Sequence, residues 1–285
     1  KSIVTEIVKR QKPKLLVISA AAFSQGNWNL TDEVYLRKWI DNMPMSQNKL
    51  DTVKTIPKNI NNDDEKVKDN ISDTLYFPLE KYHGNWKAPE AVYTSFVTRA
   101  YMRLSGGGYL KGFYSKTGIT GGRDNLANIG QPTKEAYMLT DECRAYLKEL
   151  LSYCNKLGIE HVLLLQPPHE TQAADKSGLE QIESITKEYG YDFLDLSTDY
   201  ESIAGIDDSH DFADFEHLNA YGAKKLTAYI GDMAVNQYGI KSDTAKSELS
   251  RWKKSVKRTK KALKMAREYT DRGEAQVVGE YEAAK

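Results

Sequence analysis

The sequence predicts an α/β protein with a parallel β-sheet and helices on both of its faces. Two observations predict this class: helical and strand patterns alternate along much of the chain, and the strands are short, continuous apolar runs. Continuous apolar runs are typical of strands that are buried on both faces of a parallel sheet. With 285 residues, 40% of them hydrophobic, the chain can bury one sizeable core.

The alternation begins with a predicted helix at residues 2–10, which leads into a strand at residues 15–18. The clearest unit is a helix at 141–157, with Thr140 as its N-cap, followed by a strand at 161–166. The remaining predicted elements are helix 178–189, strand 191–196 and helix 219–235.

Residues 24–135 do not follow this alternation, because they are rich in aromatic and turn residues. An insertion of this length in an α/β core is typical of a lid or a region that shapes the substrate site. A structural cap over one sheet edge is the alternative. We therefore predict an α/β domain at residues 1–240, which contains this insertion, and a basic helical tail at residues 241–285.

Forty Lys and Arg residues balance forty Asp and Glu residues, so no whole-chain basic surface predicts a nucleic-acid partner. Positive charge is concentrated in a long predicted helix at residues 244–270, with Trp252, Val256 and Leu263 as its sparse apolar contacts. Such a helix can contact lipid headgroups, an anionic polymer or a protein partner. A solvated charged face is the structural alternative.

Cys143 and Cys154 lie in one predicted helix, about 16 Å apart along its axis, which is too far for a disulfide. We expect both to be small core residues. No Cys/His spacing predicts a zinc site and no Gly-rich loop predicts a phosphate site, so we expect neither a metal nor a cofactor. No run is long and apolar enough to span a bilayer, and no signal-peptide pattern opens the chain.

One short motif combines the residue types of an acid–base site. Asp214 and His217 are three residues apart, just ahead of predicted helix 219–235, with Asn219 well placed as its N-cap. In a catalytic triad, a carboxylate against the imidazole Nδ1 fixes the tautomer and leaves Nε2 to accept a hydroxyl proton. The alternative is a carboxylate that stabilises the helix start beside an incidental histidine.

A second D-x-x-H motif lies upstream, at Asp207 and His210. It precedes no helix and lies in a polar loop. We therefore rank it below the Asp214–His217 pair.

The block Asp214-x-x-His217-Leu218-Asn219-x-x-Gly222, after a predicted strand, resembles the last sequence block of the SGNH/GDSL hydrolase superfamily. The resemblance is closest to the bacterial cell-envelope branch that includes the alanylation protein of lipoteichoic acid synthesis and alginate acetyltransferase-like proteins. It covers most of residues 1–240. The other matching segments are residues 11–18, 41–49, 82–86 and 166–169.

The resemblance implies a three-layer, flavodoxin-like parallel sheet, and a serine esterase or O-acyltransferase that acts on acylated cell-envelope glycan. His217 would be the general base and acid, Asp214 its orienting residue, and an O-acylated polysaccharide or other ester the substrate. The full-length protein would be extracytoplasmic or membrane-anchored. A non-catalytic SGNH-like module that binds glycan or a partner is the alternative.

Three further residues are candidates for substrate binding. His83 and Trp86 can form a sugar-stacking wall, with aromatic packing of the insertion as the alternative. His169 follows the end of strand 161–166, where ligands gather in open α/β sheets, although a loop histidine without a role fits equally. Asp41 and Asn48 also resemble family positions, but we assign them first to helix capping and internal hydrogen bonds.

The nucleophile is the part of the site that we do not find in this chain. In the family, the serine follows the first strand and precedes the helix that corresponds to residues 2–10. The chain opens inside or at the edge of this helix, so we expect a fragment or processed form whose Gly-Asp-Ser or Gly-Ser-Ser block lies upstream. Ser19 and Ser24 follow the first strand present, but no nucleophile turn surrounds either.

Overall fold

The computed structural model describes residues 1–24, 33–55, 73–76, 97, 110, 112–119, 139–168, 176–214, 217–241, 246–279 and 282. The candidates His83, Trp86 and His169 lie outside the described residues, as does most of the predicted insertion. In chain order the elements are α1 Ser2–Val8, β1 Leu15–Ser19, α2 Ala21–Ser24, α3 Glu33–Ile40, α4 Gln47–Thr55, β2 Ser115–Lys116, α5 Asp141–Lys156, β3 His161–Gln166, α6 Ser177–Glu188, β4 Asp192–Asp195, α7 Tyr200–Ala204, β5 Phe212–Asp214, β6 His217–Leu218, α8 Ala220–Asn236, α9 Lys246–Asp271 and β7 Val277–Val278.

Strands β1, β3 and β4 form a three-stranded parallel sheet in the order β1–β3–β4. The β1–β3 register runs from Leu15 opposite His161 to Ser19 opposite Leu165. The prediction of an α/β protein with a parallel sheet is therefore confirmed. Each helix and strand predicted above begins and ends within two residues of its observed bounds.

The described strands do not confirm the strand order that the family resemblance implies. In a flavodoxin-like sheet, the order 2-1-3-4-5 places the first strand between the second and the third. Strand β1 resembles the second strand of the family, yet it pairs directly with β3 along its whole length. The described sheet thus shows the α/β class without the flavodoxin-like order.

Strand β3 is buried on both faces. Val162 and Leu164 point to one face and join the main core cluster, while Leu163 points to the opposite face and is also fully buried. Val17 of β1 is exposed, so only β3 meets the expectation of a strand that is covered on both sides. The helices α5 and α6 supply to this core Cys143, Leu147, Leu151, Cys154, Leu179, Ile182 and Ile185.

Helix α5 begins as predicted, because the side chain of Thr140 accepts a hydrogen bond from the backbone N–H of Cys143 at 3.2 Å. Cys143 and Cys154 are free thiols, buried on the core face of this helix. Burial disfavours the thiolate and raises the pKa of both. Their expected role as small core residues is confirmed.

The chain divides into two compact units. The first consists of Lys1–Val92, Thr133–Leu165 and Ala173–Leu194 and contains the body of the parallel sheet; the second consists of Tyr93–Pro132, Gln166–Gln172 and Asp195–Lys285. The expected boundary at residue 240 does not separate these units, because residues 241–285 belong to the same unit as Asp214 and His217.

Helix α9 packs within the second unit against α8, β2 and β7. Its buried face is made of small residues, chiefly Ala262 and Ala266, with Leu263 partly buried beside them. Trp252 and Val256, which we expected to be apolar contacts of this helix, are exposed. For these two residues the expectation is wrong, whereas Leu263 packs against the core as expected. Small side chains, which allow close backbone approach, form the fully buried part of the contact.

Across the described parts of the chain, no helix has the length and hydropathy that a bilayer crossing requires.

The phenol of Tyr191 tests the core of the first unit. It is buried and donates a hydrogen bond to the carbonyl of Ile159 at 3.1 Å, and desolvation raises the pKa of Tyr191 to about 12, above the ordinary 10.0. The neutral phenol contributes its full stability below pH 10, and this contribution is lost as the pH rises towards 12, because the unfolded chain ionises first. In urea titrations across this range, the free energy of unfolding should fall more steeply for the unsubstituted protein than for Tyr191→Phe. Equal slopes would contradict the burial of this phenol.

Candidate active site

Asp214 and His217 lie opposite one another on the antiparallel strands β5 and β6. Opposite residues in such a pair have Cβ atoms about 5 Å apart, so a carboxylate can reach an imidazole. The Asp214 Oδ1 lies 2.7 Å from the His217 Nδ1. The structure thus brings the two predicted residues together on a pair of short strands, whereas the sequence suggested a loop that enters a helix.

A register shift in β5 selects which residue faces His217. Phe212 pairs with Leu218, so a regular register would place Ala213 opposite His217. The register instead shifts by one residue, and Asp214 takes that position. Phe212 is fully buried and packs edge-on against the Tyr200 ring, with centroids 5.5 Å apart, and this contact anchors the start of β5.

Asn219 joins the end of this strand pair to helix α8. As the sequence predicts, it is the N-cap: its Oδ1 accepts hydrogen bonds from the backbone N–H groups of Tyr221 at 2.9 Å and Gly222 at 3.3 Å. Its Nδ2 donates to the carbonyls of His210 at 2.6 Å and Gly118 at 3.2 Å. The side chain is fully buried, so one amide holds the helix start and two loops together.

Asp211 lies just ahead of β5 and carries a fully buried carboxylate. Its Oδ2 accepts hydrogen bonds from the Lys225 Nζ at 2.6 Å and the backbone N–H of Asp207 at 2.8 Å. Its Oδ1 lies 3.0 Å from the Nδ1 of His210. Because a buried charge is tolerated only when it is well paired, these contacts fix Asp211 against α8, the helix that carries Lys225.

The Asp211 contacts also explain the second D-x-x-H motif. His210 pairs with Asp211 and not with Asp207. Asp207 accepts hydrogen bonds from the Ser209 hydroxyl and backbone N–H, and these bonds lower the pKa of Asp207. Asp207 and His210 therefore do not form an acid–histidine pair, in agreement with the lower rank given to them.

Lys116 is a site residue that the sequence did not reveal. It lies on the two-residue strand β2, which pairs antiparallel with β7 at the end of the chain. Its Nζ donates to the Asp214 Oδ2 at 2.9 Å and lies 3.1 Å from the His217 Nδ1. The three side chains are comparably exposed, at 33% for Lys116, 31% for Asp214 and 38% for His217.

The groups around Nδ1 fit two histidine tautomers, one with Nδ1 as donor to Asp214 and one with Nδ1 as acceptor from Lys116. An ammonium group can only donate, and an ionised carboxylate can only accept. If Nδ1 carries the proton, it donates to Asp214, and Lys116 is satisfied by the other carboxylate oxygen. This arrangement uses both carboxylate oxygens and leaves the Nε2 of His217 as an acceptor. No described residue forms a hydrogen bond with Nε2.

His217 and Lys116 line a pocket of about 280 Å³ in the second unit. Pro167 and Pro168, which belong to the turn segment that resembles the family, line the same pocket. The remaining lining residues are Tyr114, Leu218 and Leu226. The pocket thus combines apolar walls with one basic group, one phenol and one imidazole.

The two serines weighed from the sequence lie in the first unit. Ser24 is fully buried in α2, where its hydroxyl donates to the carbonyl of Ala21 at 3.5 Å, so it is inaccessible to an ester. Ser19 is exposed at the end of β1. Neither serine is shown to be a nucleophile for His217.

Asn48 makes internal hydrogen bonds in the first unit, as we expected, and Asp41 makes an ion pair there. The carboxylate of Asp41 lies 3.5 Å from the guanidinium of Arg37. Asn48 donates to the carbonyl of Ser2 at 3.0 Å and the carboxylate of Glu6 at 2.8 Å, which ties α4 to α1.

Comparisons of this chain with protein-family models, with curated proteins and with solved structures find no significant match. Among the residues that the structure describes, no group of three or more His, Cys, Asp or Glu side chains could hold a metal ion.

Gly222 tests the junction between the strand pair and α8. A Cβ at this position would lie 2.5 Å from the carbonyl oxygen of Asp211 and 2.9 Å from Leu218, so the Gly222→Ala substitution forces the backbone apart. We expect it to lower the free energy of unfolding by about 1–3 kcal/mol, as measured by urea denaturation.

Gly231→Ala is the matched control on the same helix, because nothing lies within 4 Å of a Cβ there. Alanine is the better helix former, so this variant should be unchanged or stabilised by up to about 1 kcal/mol. If Gly222→Ala is as well tolerated as Gly231→Ala, then α8 does not pack against Asp211 as described.

Proposed function

We propose that this chain carries the acid–base half of an SGNH-type serine esterase or O-acyltransferase that acts on acylated cell-envelope glycan. The observation that carries the proposal is the 2.7 Å contact between the Asp214 carboxylate and the Nδ1 of a histidine that lines a pocket. In this proposal the serine belongs to a segment upstream of Lys1.

His217 performs the proton transfers in this proposal. Its Nε2 accepts the hydroxyl proton as the serine attacks the ester carbonyl, and it returns that proton to the leaving alkoxide. A water molecule or an acceptor hydroxyl then loses its proton to the same nitrogen as it attacks the acyl-enzyme. The bond from the acyl group to the serine breaks, and the imidazolium returns the proton to the serine oxygen. Asp214 holds the ring through Nδ1 and stabilises the imidazolium in each transfer.

Lys116 is a positioning residue in this scheme. Its ammonium occupies the Oδ2 of Asp214, so the Oδ1 remains directed at the Nδ1 of His217. The ion pair limits rotation of the carboxylate, since both oxygens have partners. Substrate orientation depends on such fixed geometry at the reacting groups.

The pocket supports a small ester as the substrate. Its volume of about 280 Å³ is at the lower end for small-molecule sites. A short acyl chain can pack against Leu218, Leu226 and the two prolines, and a polar sugar can contact Tyr114. Hydrolase and transferase share this chemistry and differ in the acceptor.

The proposal also includes the three-layer, flavodoxin-like fold and an extracytoplasmic or membrane-anchored full-length protein. In this proposal an upstream strand precedes α1. The loop after that strand carries the serine.

A non-catalytic SGNH-like binding module is the second candidate. One observation favours it: no serine hydroxyl among the described residues forms a hydrogen bond with His217. The experiment below separates the two candidates.

The reading frame upstream of Lys1 should encode a strand followed by Gly-Asp-Ser or Gly-Ser-Ser. The longer protein should react covalently with a fluorophosphonate and hydrolyse p-nitrophenyl acetate. His217→Ala should lower kcat by about 10³-fold or more, because the serine loses its base. Asp214→Asn should cost a similar factor, because the wrong tautomer is then favoured.

His161→Gln, at the start of β3, is the matched control and should leave kcat within about threefold of the unsubstituted value, because His161 belongs to the first unit and takes no part in the proton transfers. If His217→Ala keeps the turnover of the unsubstituted protein, His217 is not the general base. Labelling of the chain that begins at Lys1, lost in Ser19→Ala, would place the nucleophile on β1. If the upstream segment contains no serine and the fluorophosphonate labels nothing, the non-catalytic binding module is the remaining candidate.

A further inference from the structure

Helix α9 presents an exposed apolar stripe that lies outside the buried core cluster of the second unit. Leu249, Trp252 and Val256 recur at intervals of three and four residues, which places them on one face of the helix. They are 44%, 45% and 50% exposed. With three lysines, they line a shallow surface pocket on this helix.

The lysines of this pocket are Lys253, Lys257 and Lys260. All three are exposed, and no described acidic residue forms an ion pair with them. The whole helix contains ten Lys and Arg residues against three Asp and Glu residues. The apolar stripe therefore lies inside a strongly positive surface.

This combination fits one kind of partner best. A soluble anionic polymer would neutralise the lysines, but it would gain nothing from Leu249 and Val256. A lipid surface satisfies both parts, since its headgroups carry negative charge and the acyl boundary accepts apolar side chains. Tryptophan is enriched at this boundary, where its apolar ring and its N–H group both find partners.

We propose that α9 binds the surface of a bilayer with anionic headgroups, with the Leu249–Trp252–Val256 stripe in the acyl boundary. Lys253, Lys257 and Lys260 contact the headgroup phosphates. This inference is independent of the proposed esterase activity, because it rests only on α9. Truncation of the chain at the start of α9 is not a clean test, since it would also remove β7, the partner of the strand that carries Lys116.

The test measures co-sedimentation of the chain with vesicles of phosphatidylcholine and phosphatidylglycerol in equal parts, and with vesicles of phosphatidylcholine alone. We expect binding to the anionic vesicles only, and a blue shift of tryptophan emission on binding. Lys253→Gln/Lys260→Gln should lower the partition coefficient by about tenfold or more, because each lysine near an anionic surface contributes to the attraction.

Lys254→Gln/Lys261→Gln is the matched control, because it removes the same charge from exposed positions one residue further along the helix, away from the stripe. Its effect should be less than about threefold. For the apolar part, Val256→Ser should weaken binding by about tenfold, whereas Val235→Ser, at an exposed position of α8, should not change it.

Four results would each overturn the proposal. They are failure to bind anionic vesicles, equal binding to both vesicle types, equal losses for the two lysine pairs, and equal losses for the two valine variants. Capture of soluble polyglutamate without vesicle binding would assign the helix to an anionic polymer instead. Circular dichroism of each variant confirms that the helix content is retained.

Discussion

The buried carboxylate of Asp211 holds the candidate site in place. Burying this charge in a low-dielectric interior costs free energy, and contacts with Lys225, the backbone of Asp207 and the ring of His210 offset that cost. Asp211 directly precedes the strand that ends at Asp214, and its backbone carbonyl accepts a hydrogen bond from the backbone N–H of Asn219 at 2.9 Å. The geometry of the pair depends on this junction, since a shift of Asp211 would move both the strand and the helix cap.

The sequence predicted what local chemistry determines. The helix that Thr140 caps and the helix that Asn219 caps begin as expected, because capping and apolar periodicity act over a few residues. The Asp214–His217 contact was also predicted, from residue types three positions apart. Lys116 was not, because it lies 98 residues from Asp214 on a two-residue strand that carries no pattern of its own. For the same reason, the register shift that aligns Asp214 could not be predicted.

The sheet and the surface of α9 each show a feature that the sequence pattern did not predict. An apolar run predicts a strand but not its neighbour, so the direct pairing of β1 with β3 had to be observed. Trp252 was expected to be an apolar contact of this helix, yet it is exposed and Ala262 and Ala266 are buried. Both outcomes depend on which partner surfaces are present, and residues distant in sequence supply those surfaces.

The protonation of His217 tests the central claim most directly. Lys116 and Asp214 both approach Nδ1, and only one arrangement leaves Nε2 able to accept a proton. Long-range ¹H–¹⁵N NMR correlations of the imidazole ring, recorded where the ring is neutral, distinguish the tautomers. The account predicts a protonated Nδ1 and an unprotonated Nε2, with the reverse more populated in Asp214→Asn. A protonated Nε2 in the unsubstituted protein, with Nδ1 accepting from Lys116, would contradict it.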